Sequence, residues 1–208
     1  HLIPRRTEQP YLRYQGAIVL APHEGLHDNV VSLDFASMYP NLMILYNLSP
    51  DTYVSASDRI AEDTCWVIEG PRHRFRKSPP GLYNTALSKL ISYRNEVKKR
   101  LATGALSNSE KRLLQESERA VKVITNACYG YAGWVGARWY VREVAESAAA
   151  LGRKSITQVI DRCNETGLSV IYADTDSVFV THDEEKVNSL LRWVSTNLHL
   201  DIRPEKTY

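Results

Sequence analysis

Only three cysteines occur in the 208 residues, and Cys65, Cys128 and Cys163 stand too far apart to make a CxxC pair or a disulfide framework. That scatter argues against structural zinc and suits a reducing compartment. No apolar run approaches the ~20 residues a membrane helix requires, and the opening HLIPRRTEQP lacks the apolar core of a signal peptide. The expectation is a soluble, intracellular chain with no membrane partner. Internal repeats and low-complexity tracts are also missing. The chain starts on His rather than Met and ends in DIRPEKTY without a helix stop, so a shortened or processed polypeptide is expected. What is abundant is apolar surface: at 43% hydrophobic residues, the chain can bury the core of one large domain or two small lobes.

The net charge of +2 hides an asymmetry. Between Asn84 and Lys122 nine Lys or Arg face four Glu, a local +5, which leaves −3 for the remainder. A basic element facing a polyanion, with acidic groups concentrated elsewhere, is one reading; a solvated helical face is the other.

The run VVSLDF (residues 30–35) has the β-branched character of a strand, and PNLMILYNL after it reads as a helix with Pro40 at its first position. Asp34 then lies at a strand end. Residues 49–80, including the basic RHRFRK, read as loops with short strands. From Asn84 a helical period appears in Leu87, Leu90, Ile91, Val97 and Leu101, and Gly104 stops it. Ser107 with Glu110 three positions on is a capping-box signature for a second helix carrying Leu113, Leu114, Val121 and Ile124. A short connection makes the pair an antiparallel αα-hairpin, ending near Tyr129-Gly130. The glycine- and aromatic-rich YGYAGWVGARWY follows as a turn region. A third helix is predicted over residues 142–163 ahead of Gly167, then a β-hairpin with strands at residues 170–172 and 178–180, then the amphipathic helix EEKVNSLLRWVSTNL. The fold class is α+β, a mainly antiparallel sheet with packed helices plus the αα-hairpin.

Within SVIYADTDSVFV, Asp174 and Asp176 stand between two β-forming runs. A hairpin tip can be acidic merely to stay wet, and D-x-D alone is weak. Asp34 lies 140 residues before Asp174, yet strand ends meet if their strands are neighbours in one sheet. Carboxylates gathered without a counter-charge repel and partly protonate, a difficulty that a divalent cation removes. Mg²⁺ prefers oxygen ligands and binds through one or two carboxylates plus substrate phosphates. Two such ions ~3.5–4 Å apart serve phosphoryl transfer. Arg94 and Lys98 share one face of the first hairpin helix, as Lys122 and Asn126 share one face of the second, so these cations can converge on phosphates.

These segments resemble family B DNA polymerases. DFASMYPNLMI looks like their first polymerase motif, KVITNACYG like their lysine-bearing fingers motif and YADTDS like their paired-aspartate motif. SYRNEVKKRL and GYAGWVGARWY resemble the flanking segments, most closely in archaeal members. The resemblance implies residues 1–83 as the first part of a palm, 84–130 as fingers and 131–208 as the second part of the palm. It implies Asp34 and Asp176 as ligands bridging two Mg²⁺ ions, with Asp174 lining the site. The triphosphate would meet the backbone of Phe35, Ala36, Ser37 and Met38, and the side chains of Arg94, Lys98 and Lys122, with Lys122 protonating the leaving pyrophosphate. Tyr39 would lie under the sugar and exclude a 2′-hydroxyl. Asn126, Tyr129 and Gly130 would flank the nascent base pair and the primer–template minor groove.

This chain has Ala173 and Ala127 where the family usually has Gly and Ser; neither change removes a ligand or a charge. The resemblance further implies primer–template DNA and dNTPs as substrates and a cytoplasmic, nucleoid-associated location. The family's N-terminal, exonuclease and thumb domains are not expected in this chain. They would come either from a longer form of this polypeptide or from a second polypeptide, through which a sliding clamp would be met. Two alternatives stay open: a non-catalytic polymerase-like assembly subunit, which would bind neither Mg²⁺ nor dNTP, and a metal-dependent glycosyltransferase, which would need no Lys122.

Overall fold

Valine at two successive positions, bounded by a turn before and a strand end after, is enough to make VVSLDF a strand, and Val30–Phe35 is one. In this computed structural model, which describes residues 13–104 and 106–208, the elements in chain order are β1 (Val19–Leu20), β2 (Val30–Phe35), α1 (Met38–Leu45), β3 (Tyr53–Val54), β4 (Cys65–Val67), β5 (Arg74–Arg76), α2 (Leu82–Ala102), α3 (Asn108–Gly133), α4 (Arg142–Thr166), β6 (Val170–Asp174), β7 (Ser177–Thr181), α5 (Glu184–Leu198) and β8 (Ile202–Thr207). Helices and antiparallel sheets together make the α+β class expected from the sequence. The first twelve residues of the predicted first palm part lie outside the described residues. Two compact units form, one mostly of Leu42–Ala148, the other of Tyr14–Asn41 with Ala149–Tyr208.

The second unit is built on a five-stranded antiparallel sheet of order β1-β6-β7-β2-β8. β2 runs between β7 and β8, and every residue of it except Asp34 is buried. A strand covered on both faces shows no in–out alternation, and here Ser32 is buried along with its apolar neighbours. β7 alternates instead: Val178 and Val180 are buried, while Ser177, Phe179 and Thr181 are half-exposed. β8, IRPEKT, buries only Ile202 and contains Pro204, so nothing in its composition marks a strand. Its pairing with β2, interrupted by a bulge opposite Ser32 and Leu33, imposes the conformation. An edge is where proline and charge are tolerated in a sheet. Asp183 caps α5 by accepting from the Lys186 amide at 3.1 Å, and Val187, Leu190 and Val194 form its buried stripe.

The first unit holds the α2–α3 hairpin and a small sheet of order β3-β5-β4. The amide donors at the start of α2 are met by a loop 30 residues earlier. Asn47 Oδ1 accepts from Gly81 N at 2.8 Å, Asp51 from Leu82 N at 3.0 Å and Ser49 Oγ from Tyr83 N at 3.2 Å. Such donors have no partner inside a helix, so this borrowed cap fixes where α2 begins. α3 begins at the predicted capping box: Glu110 N donates to Ser107 Oγ, and the Glu110 carboxylate accepts from Ser107 N at 3.0 Å. The Ser107 hydroxyl, which donates to the same carboxylate at 2.6 Å, and then the Ser107 amide hold the Glu110 carboxyl below its usual range. Gly104, φ +77°, ends the α2 segment as its sequence predicts.

Several boundaries differ from the sequence expectation. Pro40 is the third residue of α1 rather than the first, still within the turn whose N–H groups need no helical partner. α3 continues through Tyr129-Gly130 to Gly133, and α4 runs on to Thr166, where Gly167 at φ +72° stops it. The β6 and β7 strands reach the turn itself, at Asp174 and Ser177. Among the described residues no helix is long and apolar enough to cross a membrane.

Candidate active site

Directly opposed residues of an antiparallel ladder carry their side chains on the same face. Asp34 opposes Ser177 across β2 and β7, and Asp174 opposes the same Ser177 across β6 and β7. The two carboxylates therefore flank one serine, each about 4.8 Å away in strand spacing. One step along, Leu33, Val178 and Ala173 form the corresponding row on the other face, and all three are fully buried. The apolar row anchors the register; a slip of one residue would turn the aspartates into the core. Asp176 sits in the turn, and its main-chain oxygen accepts from Phe35 N at 2.9 Å. Asp34 and Asp176 are thus one residue and one hydrogen bond apart.

The turn is strained. Thr175 has φ +56°, which a β-branched residue rarely adopts, and Asp176 N donates back to Asp174 O at 2.6 Å. Such a residue costs about 1–3 kcal/mol and persists where its surroundings over-determine it. Here Thr175 N donates to Ile18 O, and Thr175 Oγ1 donates to Asp174 Oδ1 at 2.8 Å. Tyr172 OH donates to Asp174 Oδ2 at 3.2 Å. Both Asp174 oxygens are held by hydroxyls, and burial together with this hydrogen bond raises the Tyr172 phenol above its usual value. Among the described residues no group of three or more His, Cys, Asp or Glu side chains is gathered tightly enough to hold a metal alone. A magnesium that takes one or two carboxylates and draws its other ligands from phosphates and water does not require one. Asp34 and Asp176 are brought near each other through the Phe35 N–Asp176 O bond, with Asp174 braced in the same turn.

The segment after Asp34 reverses sharply, with Ser37 at φ +53°, and opens α1. Phe35 N is engaged by Asp176 and Ala36 N donates to Asp201 O at 2.8 Å, so the amides left for an anion are those of Ser37 and Met38. These two residues stand at the positive end of α1. Tyr39 follows at 8% exposure. Burial, reinforced by the Asp176 carboxylate and opposed by Arg153, pushes its phenol up to about 12. The ring is neutral at working pH and within electrostatic reach of the aspartates. α4 makes room for it with Gly152, where an added Cβ would lie 2.9 Å from Tyr39 Cε1 and 3.2 Å from Met38 Cε. Gly152→Ala is expected to lower stability by about 1–3 kcal/mol through overpacking. The gain of ~1 kcal/mol that alanine brings a helix interior is too small to offset it. Thermal melting checks this; a higher melting temperature would contradict the close approach.

In the first unit, Lys98 of α2 and Lys122 of α3 line one cleft of about 610 Å³, together with Arg119 and Glu118. Arg94 is turned onto Glu118, with Nε and Nη2 each 2.7 Å from Oε1, and Lys98 Nζ lies 4.0 Å from the same oxygen. Lys122 and Asn126 are exposed on α3, and Tyr129 is half-buried one turn further on, beside exposed Gly130. The cleft holds Lys98 and Lys122, two of the three cations expected to converge, and Glu118, which the sequence did not single out. Its only signal was its position four residues before Lys122, since a cross-helix partner leaves no mark in either helix. Gly152 and the Tyr172 and Thr175 hydroxyls were missed as well.

The family model described as DNA polymerase family B matches residues 2–200. The chain is 44% identical over 207 residues to DNA polymerase 2 of Aeropyrum pernix, covering 100% of this chain and 26% of that protein. It is 41% identical over 198 residues to the DNA polymerase of Archaeoglobus fulgidus, covering 94% of this chain and 25% of that one. The solved family B DNA polymerase of the hyperthermophilic archaeon Pyrobaculum calidifontis superposes with a TM-score of 0.82 at 43% identity, over 99% of this chain and 27% of its own. The chain therefore spans about a quarter of the length of these relatives.

Proposed function

Because the chain belongs to the family B DNA polymerases, we propose that it is the catalytic region of a DNA-directed DNA polymerase, joining a dNTP to a primer 3′-OH and releasing pyrophosphate. Residues 1–83 and 131–208 are read as palm, and 84–130 as fingers. The observation that supports this reading is the ladder that pairs Asp34 with Ser177, with the next residue, Phe35, donating its amide to Asp176 O. Two Mg²⁺ ions held by Asp34 and Asp176, with Asp174 lining the site, would activate the primer hydroxyl and stabilise the leaving oxygen. The Ser37 and Met38 amides receive the triphosphate at the start of α1. Tyr39 lies under the sugar, where its neutral ring leaves no room for a 2′-hydroxyl. Arg94, Lys98 and Lys122 neutralise the phosphates, and Lys122 gives a proton to the departing pyrophosphate. Asn126, Tyr129 and Gly130 flank the new base pair, with Tyr129 against its minor groove.

The partners in this reading are primer–template DNA, dNTPs and the remainder of such an enzyme, carried on the same polypeptide or a second one, with a sliding clamp engaged through that remainder. The workplace is the cytoplasm, at the nucleoid. The test is template-directed primer extension with the remainder supplied, comparing dCTP with CTP. Tyr39→Val is expected to reduce discrimination against the ribonucleotide by about a hundredfold, with a much smaller change in dCTP use. Discrimination unchanged in the variant would remove Tyr39 from the sugar site, and extension that ignores the template would remove the function.

A further inference from the structure

Resting on that assignment of the fingers cations to the triphosphate, we propose that Glu118 is an internal competitor for the nucleotide. Its carboxylate occupies the cations before the triphosphate arrives and must surrender them for binding. One oxygen, Oε1, takes Arg94 through Nε and Nη2 at 2.7 Å each, and Lys98 Nζ stands 4.0 Å from it. The Arg94 and Glu118 side chains are only 16% and 21% exposed, so solvent screens the pair less than a surface contact. Lys98 is 45% exposed and reaches the cleft shared with Lys122, which lies four residues beyond Glu118 on the same face of α3.

The pair is poorly explained as a strut between the helices. α2 and α3 already bury Leu87, Val97, Leu114 and Val121, which suffices to hold an antiparallel hairpin. A carboxylate that offers a single oxygen to a guanidinium is also easily outbid. A phosphate presents several oxygens in the geometry that Arg engages bidentately, and a triphosphate carries more charge than one glutamate. Glu118 therefore sets a threshold that favours polyphosphates over singly charged anions, and it recaptures Arg94 once pyrophosphate has left.

The test titrates inorganic tripolyphosphate, without divalent metal and at low ionic strength, into the 208-residue chain by calorimetry. E118Q, which keeps the shape and removes the charge, is expected to bind roughly tenfold more tightly than the parent, equivalent to about 1.4 kcal/mol. E116Q removes the same charge from the same cleft, but its carboxylate is paired with Arg119 at 3.8 Å on an exposed surface, so a change of less than about twofold is expected. In an Arg94→Ala background the gain from E118Q should shrink, since the two residues act as a pair. Equal or weaker binding by E118Q overturns the competitor, as does an equal gain in E116Q, which would reduce the effect to net charge. If tripolyphosphate binds and Arg94→Ala weakens it while E118Q changes nothing, the fingers assignment stands and only the competitor falls. If no variant binds, both fall. Circular dichroism reports helix retention, and Glu118→Ala repeats the titration if the glutamine variant loses helicity.

Discussion

Replacing Asp176 by Asn is expected to slow primer extension by about a thousandfold, a rise of about 4 kcal/mol in the barrier, and to leave the fold intact. A divalent ion needs the carboxylate charge, and an amide of the same shape withholds it. The ladder does not need that charge, because the contact of Asp176 with Phe35 runs through the main-chain oxygen. Asp34→Asn should lose as much, since the side chain opposes Ser177 at the end of β2 and the strand is held by its buried neighbours Leu33 and Phe35. Asp174→Asn should lose less, about ten- to a hundredfold, as outer positioning groups of metal sites do. Its oxygens accept from Thr175 Oγ1 and Tyr172 OH. Single-turnover extension of a primed template, with the remainder of the polymerase supplied, measures all three. Equal losses at positions 174 and 176 would remove the distinction between brace and ligand, and full activity in Asp176→Asn would remove the site.

Lys122→Ala should lower turnover by about a hundredfold or more, in the range for a lost general acid. Lys122 is exposed on α3, so its truncation opens no cavity, and a surface change of this kind moves stability by about 0.5 kcal/mol or less. Lys122→Arg separates two roles. The guanidinium keeps the positive charge but does not give up a proton, so KM for dNTP should recover while kcat stays low. Recovery of both would make Lys122 a charge alone; a KM defect with normal kcat in Lys122→Ala would make it a binding residue only.

The parts of this molecule legible in its sequence are those whose cause is local. Val30–Phe35 reads as a strand because β-branched residues crowd it, Ser107 and Glu110 announce the start of α3 three residues apart, and Asp183 with the apolar stripe Val187, Leu190 and Val194 marks α5. β8 was illegible because its conformation is imposed by β2, against a composition of proline and charge. The end of α3 was misread because Gly130 punctuates a sequence more strongly than it breaks a helix; at about 1 kcal/mol the cost is small beside the packing that carries the helix on to Gly133. The site divides in the same way. Asp34 and Asp174 stand out by type and by position at strand ends, and Asp176 by its place two residues after Asp174 between β-forming runs. The shared opposition to Ser177, the hold of Tyr172 and Thr175 on Asp174, the space that Gly152 leaves for Tyr39, and Glu118 against Arg94 all depend on register or on a second element.

Manganese binding measured by electron paramagnetic resonance, in the presence of dATP, reports on the carboxylates without any need for turnover, because Mn²⁺ accepts the same oxygen ligands as Mg²⁺. Saturable binding to the parent chain that is lost in both Asp34→Asn and Asp176→Asn is the expected result. Retention of parental binding in the two variants would mean that these aspartates, adjacent as the ladder makes them, share no ion.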